Sequence, residues 1–282
     1  MRTILTGLLW LLTTLTLAVA VPAGWAQQNL IRADGYAALA QRAASDQQLQ
    51  AAVASQLSTQ IVNLAGTESD IKPAVIRVVA TSYTRSSAFP AQFAQANRYA
   101  HRWLFTNTIR SDVDERGRWV IDLAPMLADS AFQQTLTDYN ITVPTTVPVP
   151  LTENAPSALR PGALRSAAVW GPWISIGAGI LAAVFAVLML WSSRRLGRGL
   201  TALGLSGLLV GGAGWAALEI GRGKVENALN QSAPDVRQAA DAVVATVTAS
   251  THQWLNLALV IGGGLVVVGV ILTLLGGLRR AH

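Results

Sequence analysis

The sequence predicts an all-α membrane bundle of three to four spans, joined to a mainly α-helical extracytoplasmic domain that carries a small two-stranded β element. The composition is the first reason: 51% of the 282 residues are hydrophobic and only 13% are charged, whereas about a quarter are charged in soluble domains. The second reason is that apolar residues form four long segments, each close to the ~20 residues that a membrane-crossing helix needs. Between the first two segments lie about 140 residues, the size of one domain.

The first apolar segment, residues 1–26, fits either a cleaved secretory signal or a retained signal anchor. Arg2 precedes its apolar core, and the small residues Gly24 and Ala26 stand at its end, as at a cleavage site. Its apolar core is longer than the ~7–15 residues usual in a signal, which favours a retained anchor. The other predicted spans are residues 169–191, 199–220 and 254–278.

Arginines in three short stretches predict the orientation. The formal net charge of +6 equals the number of basic residues at position 2, in the turn 192–198 and in the tail 279–282. Basic loops resist translocation and stay cytoplasmic, so we expect a bacterial plasma-membrane protein with both termini cytoplasmic and its main domain extracytoplasmic. The topology-determining residues are Arg194, Arg195, Arg198, Arg279 and Arg280.

The predicted extracytoplasmic domain, residues 27–143, contains three stretches in which apolar residues recur at three- and four-residue spacing, which is typical of amphipathic helices. These stretches are residues 34–61, with a break near Asp46, 71–84 and 89–105. Val78 is expected on the apolar face of the second helix, and Ser87 is expected to cap the third.

A β element and a further helix are predicted beyond residue 112. Residues 119–123 read as a short strand that pairs with 146–151, where prolines permit only an edge strand. Residues 127–139 are predicted to be helical. Five prolines then make residues 144–168 a stiff, extended connector to the membrane.

A second outer segment, residues 221–253, is predicted to form a helical hairpin. Its later half has one apolar face that includes Val236, Val243 and Val247 and continues into the last span without a helix breaker. Because that face needs cover, we expect it to pack with the helical domain.

Small residues and one carboxylate stand out within the spans. The residues assigned to close helix packing are Gly204, Gly207, Gly211 and Gly262. Such glycines let membrane helices approach closely, so they indicate a tight bundle or a homo-oligomer. Glu219 lies near the outer end of a span, where an interfacial ion pair with Arg222 is a better interpretation than a proton relay.

Catalytic, cofactor-binding and metal-binding residues are not predicted. The chain has no cysteine, which removes thiolate chemistry. His101 is not accompanied by a nucleophile or metal-binding motif and is interpreted as structural. Asp112, Asp114 and Glu115 are followed by Arg116, unlike a calcium loop, so they are interpreted as a solvated turn.

The segments Phe93–Phe105 and Val120–Leu123 resemble uncharacterised actinobacterial multi-span membrane proteins with a helical extracytoplasmic domain after the first span. That resemblance implies the same architecture and no activity. We expect a non-enzymatic envelope protein whose outer domain is an interaction or scaffold module. Its expected partners are the lipid bilayer and either a second copy or an envelope protein, without nucleic acid, since the charge excess flanks spans. The alternatives are a small transporter or channel component, or lipid or small-ligand handling.

Overall fold

The described part of the chain is mainly helical. A computed structural model describes residues 2–65, 72–106, 120–122, 148–150, 162–193, 195–229 and 234–278. Its contacts form two compact units: unit 1 comprises Met1–Leu30, Val169–Asn227 and Val247–His282, and unit 2 comprises Ile31–Ala168 and Ala228–Thr246.

The elements follow one another as a series of helices with one pair of short strands. They are α1 (Arg2–Ala26), α2 (Ala33–Ala43), α3 (Gln47–Ala65), α4 (Pro73–Thr84), α5 (Phe89–Phe105), β1 (Val120–Asp122), β2 (Pro148–Pro150), α6 (Arg165–Ser192), α7 (Leu196–Leu229) and α8 (Pro234–Leu278). A π-helical turn, Gln27–Ile31, continues α1. Helices α1, α6, α7 and α8 are long and apolar enough to cross a membrane, which confirms the predicted membrane-type helical bundle.

Helix α1 is hydrogen-bonded to the other long helices of unit 1. Its polar side chains contact α6, α7 and α8 through the pairs Thr6–Ser192 (3.2 Å), Trp10–Ala202 (2.9 Å), Thr14–Ser206 (2.8 Å) and Trp25–Ser250 (3.3 Å). Since hydrocarbon offers polar groups no partner, such bonds join membrane helices. Within unit 1, α1 is therefore an integral member of the bundle.

The core of unit 2 surrounds Phe89, whose side chain is fully buried. Its ring lies edge-on to Tyr83, 5.6 Å between centroids, and α8 contributes Ala242 to the same core. The other buried members are Ala43, Ala44, Leu49 and Val79. The predicted packing of the outer hairpin with the helical domain is thus confirmed for the beginning of α8.

Two helix boundaries follow directly from local chemistry. The predicted break near Asp46 separates α2 from α3, because Asp46 Oδ1 accepts hydrogen bonds from the backbone N–H groups of Gln48 (2.7 Å) and Leu49 (3.2 Å), as an N-cap does. Helix α4 begins at Pro73, where the absent N–H would have had no intrahelical partner.

Three details of the predicted helices are wrong. Val78 is 58% exposed, and on α8 Val243 is 40% exposed while Ala242 is buried. In α4 the adjacent Val79 packs inward instead, and in α8 the smaller Ala242 does. The buried row of each helix therefore lies one residue away from these exposed valines. Ala88 and not Ser87 precedes α5, without a side-chain cap; Pro90 at the second helical position needs no partner for an N–H there.

The short strands β1 and β2 pair antiparallel, with Val120 opposite Pro150, Ile121 opposite Val149 and Asp122 opposite Pro148. The remainder of the predicted strands 119–123 and 146–151 lies outside the described residues. So do the predicted helix 127–139, the acidic turn at 112–115 and most of the connector 144–168.

Candidate functional site

The predicted packing glycines lie where α7 and α8 approach each other. A Cβ atom built on Gly204 would stand 2.5 Å from the carbonyl oxygen of Gly262, and one on Gly207 would stand 3.1 Å from the Cα of Gly262. A Cβ atom on Gly211 would meet Leu259 at 2.6 Å. The structure therefore brings all four glycines into one interhelical contact within the chain.

Two further glycines extend this contact. Gly197 and Gly269 face each other, since a Cβ atom on either would stand 2.6 Å from the carbonyl oxygen of the other. Gly197 precedes Gly204 by seven residues, as Gly262 precedes Gly269. A seven-residue repeat is the sequence signal for a continuous contact between helices. Gly197 could have been predicted from this repeat. We call these six residues the glycine seam.

Glu219 lies beside His252 near the outer end of the predicted spans. Glu219 Oε1 is 3.8 Å from His252 Nε2, too far for a hydrogen bond. The His252 ring stacks on Trp215, and Trp215 Nε1 donates a hydrogen bond to Asn256 Oδ1 at 3.2 Å. This cluster couples α7 to α8, and sequence reasoning missed its aromatic and amide members.

The predicted pair of Glu219 with Arg222 stays a prediction. Arg222 Nε donates a hydrogen bond to Glu226 Oε1 at 2.8 Å, one turn further along α7. Both side chains are about half exposed, at 48% and 46%, so solvent weakens this pair.

The topology-determining arginines are only partly described. Arg195 and Arg198 are exposed at the short turn between α6 and α7, which the predicted basic turn 192–198 encloses. Arg194, Arg279 and Arg280 lie outside the described residues.

His101 is buried in unit 2 among aromatic rings. Its Nε2 lies 2.9 Å from the carbonyl oxygen of Ile31, its ring stacks on Phe105 at 4.3 Å, and Tyr36 packs beside it at 5.4 Å. Burial raises the pKa of the Tyr36 phenol. These contacts support the structural interpretation of His101, because a backbone carbonyl occupies its buried nitrogen.

A second feature, which the sequence did not reveal, lies on the exposed face of α4. Arg77, Thr81 and Arg85 stand four residues apart along the helix and its C-terminal cap, on one face. Both arginine side chains are exposed, and neither guanidinium pairs with another described residue. We call these three residues the arginine face.

Open cavities flank the arginine face on both sides. One, of about 360 Å³, is shared with Ala51, Ala54 and Ser55 of α3. The other, of about 850 Å³, includes the exposed Val78. None of the described residues that line either cavity is acidic, so both guanidinium groups are available to an anionic ligand.

Comparisons with protein-family models, with curated proteins and with solved structures found no match to this chain.

Proposed function

We propose that this chain is a non-enzymatic integral membrane protein of a bacterial cell envelope whose outer domain, built from unit 2 with its small two-stranded β element, is an interaction module for an extended polyanion. In this proposal the four long helices span the plasma membrane with both termini cytoplasmic, as the positions of the arginines predict. The partner proposed here, an anionic polymer, differs from the second copy or envelope protein that the sequence predicts.

The observation that carries the proposal is the two guanidinium groups on the arginine face, neither of which pairs with a residue that the structure describes. Arg77 and Arg85 are eight residues apart, which corresponds to about 12 Å along a helix. Because guanidinium groups bind phosphate and carboxylate groups through paired N–H donors, this spacing suits two anionic groups on one extended molecule.

The exposed apolar surface beside the arginines supports a polymer as the partner. Val78 contributes an exposed isopropyl group to the cavity that both arginines line, and Thr81 contributes a hydroxyl. A ligand with both carbon-rich and charged segments is therefore matched along the whole face.

Binding of inorganic polyphosphate, an extended polyanion without hydrocarbon, to the detergent-purified full chain tests the part of this proposal that rests on the two arginines. The double variant Arg77→Gln/Arg85→Gln is expected to bind about 2- to 30-fold more weakly, since exposed charge contacts contribute about 0.2–1 kcal/mol each. The salt dependence of its affinity should also fall by about one unit per arginine, as expected when counterion release drives binding. Fluorescence anisotropy measures both quantities.

The matched control is Arg42→Gln/Arg98→Gln, which removes the same charge from two residues of unit 2 that line neither cavity. Arg42 is exposed, and the Arg98 side chain, 3.5 Å from Asp34, is 42% exposed. It should leave the affinity within about twofold, because distant exposed charges are screened. Equal loss in the two double variants would mean that polyphosphate senses only the net charge, and the interaction module would be rejected.

A further inference from the structure

The four long helices of unit 1 enclose an apolar cavity of about 420 Å³. Its wall combines small residues of α6 with larger aliphatic residues of the other helices, among them Leu17, Leu203 and Leu265. The cavity exists because α6 presents only glycine and alanine to it: Gly179, Ala182, Ala183 and Ala186. These positions recur at three- and four-residue spacing, so they form one helix face.

The cavity offers hydrocarbon contacts and almost nothing else. Thr13 is the one residue with a polar side chain among the described residues that line it, and its hydroxyl donates a hydrogen bond to the carbonyl oxygen of Leu9 at 2.7 Å. Sites for polar small molecules contain several oriented polar groups. A wholly apolar ligand segment is therefore the chemistry that this cavity matches.

One side of the cavity opens at the exposed apolar surface of unit 1. Thr13 and Val210 lie at its buried end, with 1% and 7% exposure, whereas Ile261 is 55% exposed and Ala183 is exposed as well. Ile180 and Val260, which neighbour the opening in sequence, are 59% and 72% exposed. On spans that cross a membrane, such apolar exposure faces lipid tails.

We propose that this cavity binds one acyl chain of a membrane phospholipid, which enters from the bilayer between α6 and α8. An empty cavity deprives its lining atoms of dispersion contacts, and the hydrocarbon tails at its opening supply them. Its volume is nearly three times that of an engineered apolar cavity of about 150 Å³ that takes up benzene, so it accommodates a substantial length of a chain. The headgroup stays outside, since no described polar side chain in the cavity receives it.

Two glycines of α6 provide a matched test. A Cβ atom on Gly179 or on Gly177 meets nothing within 4 Å, but only Gly179 lines the cavity. Gly179→Leu therefore extends an isobutyl group from the cavity wall and obstructs the cavity, while Gly177→Leu makes the same substitution outside it. Both changes remove a glycine from the same helix, so their intrinsic effects on helix stability cancel.

The full chain is reconstituted in vesicles of phosphatidylethanolamine and phosphatidylglycerol that contain a phospholipid with a diazirine on one acyl chain. After irradiation, adducts are mapped by mass spectrometry. We expect adducts at Leu203 and Val210 in the wild type and in Gly177→Leu, and their loss in Gly179→Leu. Unlabelled Val210 in the wild type, or equal labelling in both variants, would overturn the proposal.

A second pair of variants acts at two exposed neighbouring residues of α6, Ala183 at the opening of the cavity and Val184 beside it. Ala183→Phe is expected to abolish the same adducts, and Val184→Phe, next to it but outside the cavity lining, is expected to preserve them. Competition by excess free palmitate without competition by unlabelled phospholipid would overturn the assignment to a phospholipid. Crosslinks between two copies of the chain, found in place of the lipid adducts, would also overturn the assignment to a phospholipid.

Discussion

The indole ring of Trp215 on α7 stacks on the imidazole ring of His252 on α8, with 3.8 Å between ring centroids and 8° between ring planes. The contact joins residues 37 positions apart. Trp215 also donates a hydrogen bond to Asn256, which orients its ring. The stack therefore fixes the two helices to each other beyond the glycine seam.

We predict a favourable coupling energy of about 0.5–1.5 kcal/mol between Trp215 and His252, the range measured for aromatic pairs. Unfolding of the full chain in mixed detergent micelles, followed by circular dichroism, gives this value from the variants Trp215→Ala, His252→Ala and their combination. Trp173, exposed on α6, is the control: Trp173→Ala should add to His252→Ala within about 0.5 kcal/mol. Additivity of Trp215→Ala with His252→Ala would show that the stack contributes nothing.

The glycine seam predicts that the same glycine-to-alanine substitution affects the free energy of unfolding differently at two positions of α7. Gly204→Ala should lower the free energy of unfolding by about 1–3 kcal/mol relative to Gly212→Ala, since overpacking a close contact costs about that much. The added Cβ atom at Gly204 meets a backbone oxygen at 2.5 Å, whereas nothing lies within 4 Å of the one at Gly212. Both variants gain the same helix propensity, and the same unfolding assay compares them. Equal stabilities would mean that α7 and α8 do not pack through this seam.

The sequence predicts features that depend on one helix alone better than features that depend on contacts between helices. Asp46 and Pro73 act on the backbone of their own helix, so the boundaries beside them were predictable. The row of a helix that packs inward was less predictable. On α4, Val78 is exposed while the equally hydrophobic Val79 is buried. On α8, Val243 is exposed while the smaller Ala242 is buried. Alanine-rich helices leave that choice to tertiary contacts.

The contact between Trp215 and His252 could not be predicted directly, because it depends on the register of α7 against α8. The glycine seam sets that register by placing Gly204 opposite Gly262. Eleven residues beyond Gly204 is Trp215, and eleven residues before Gly262 is position 251, next to His252. The stack is thus predictable once the antiparallel seam is known. The arginine face had no such signal, because two arginines eight residues apart are common on solvated helices.

Tyr36 predicts how the stability of unit 2 responds to alkaline pH. Burial raises the pKa of its phenol in the folded chain above the ordinary value of 10.0, so the folded state holds this proton more tightly than the unfolded state. The contribution of the protonated Tyr36 phenol to the free energy of unfolding is complete below about pH 10. It disappears as the pH rises through the folded-state pKa. Tyr36→Phe, which has no phenol proton, should therefore lose less stability than the wild type between about pH 9 and about pH 12. Chemical unfolding at each pH measures this, and parallel curves for the two proteins would refute it.

Helix α1 is predicted to remain in the mature protein. Its side chains bond to α6, α7 and α8, and Trp25, one residue before the last residue of the predicted signal, is buried against the bundle with its indole donating a hydrogen bond to Ser250. Cleavage after Ala26 would remove the four interhelical hydrogen bonds of α1 described above, and Ser206 and Ser250 would lose these partners. Each such hydrogen bond contributes about 0.6 kcal/mol on average in membrane proteins. The intact mass of the chain extracted from membranes should therefore include residues 1–26. A chain that begins at Gln27 should unfold at a lower concentration of denaturing detergent than the full chain. A mature N-terminus at Gln27 combined with undiminished stability would show that α1 is only a targeting signal.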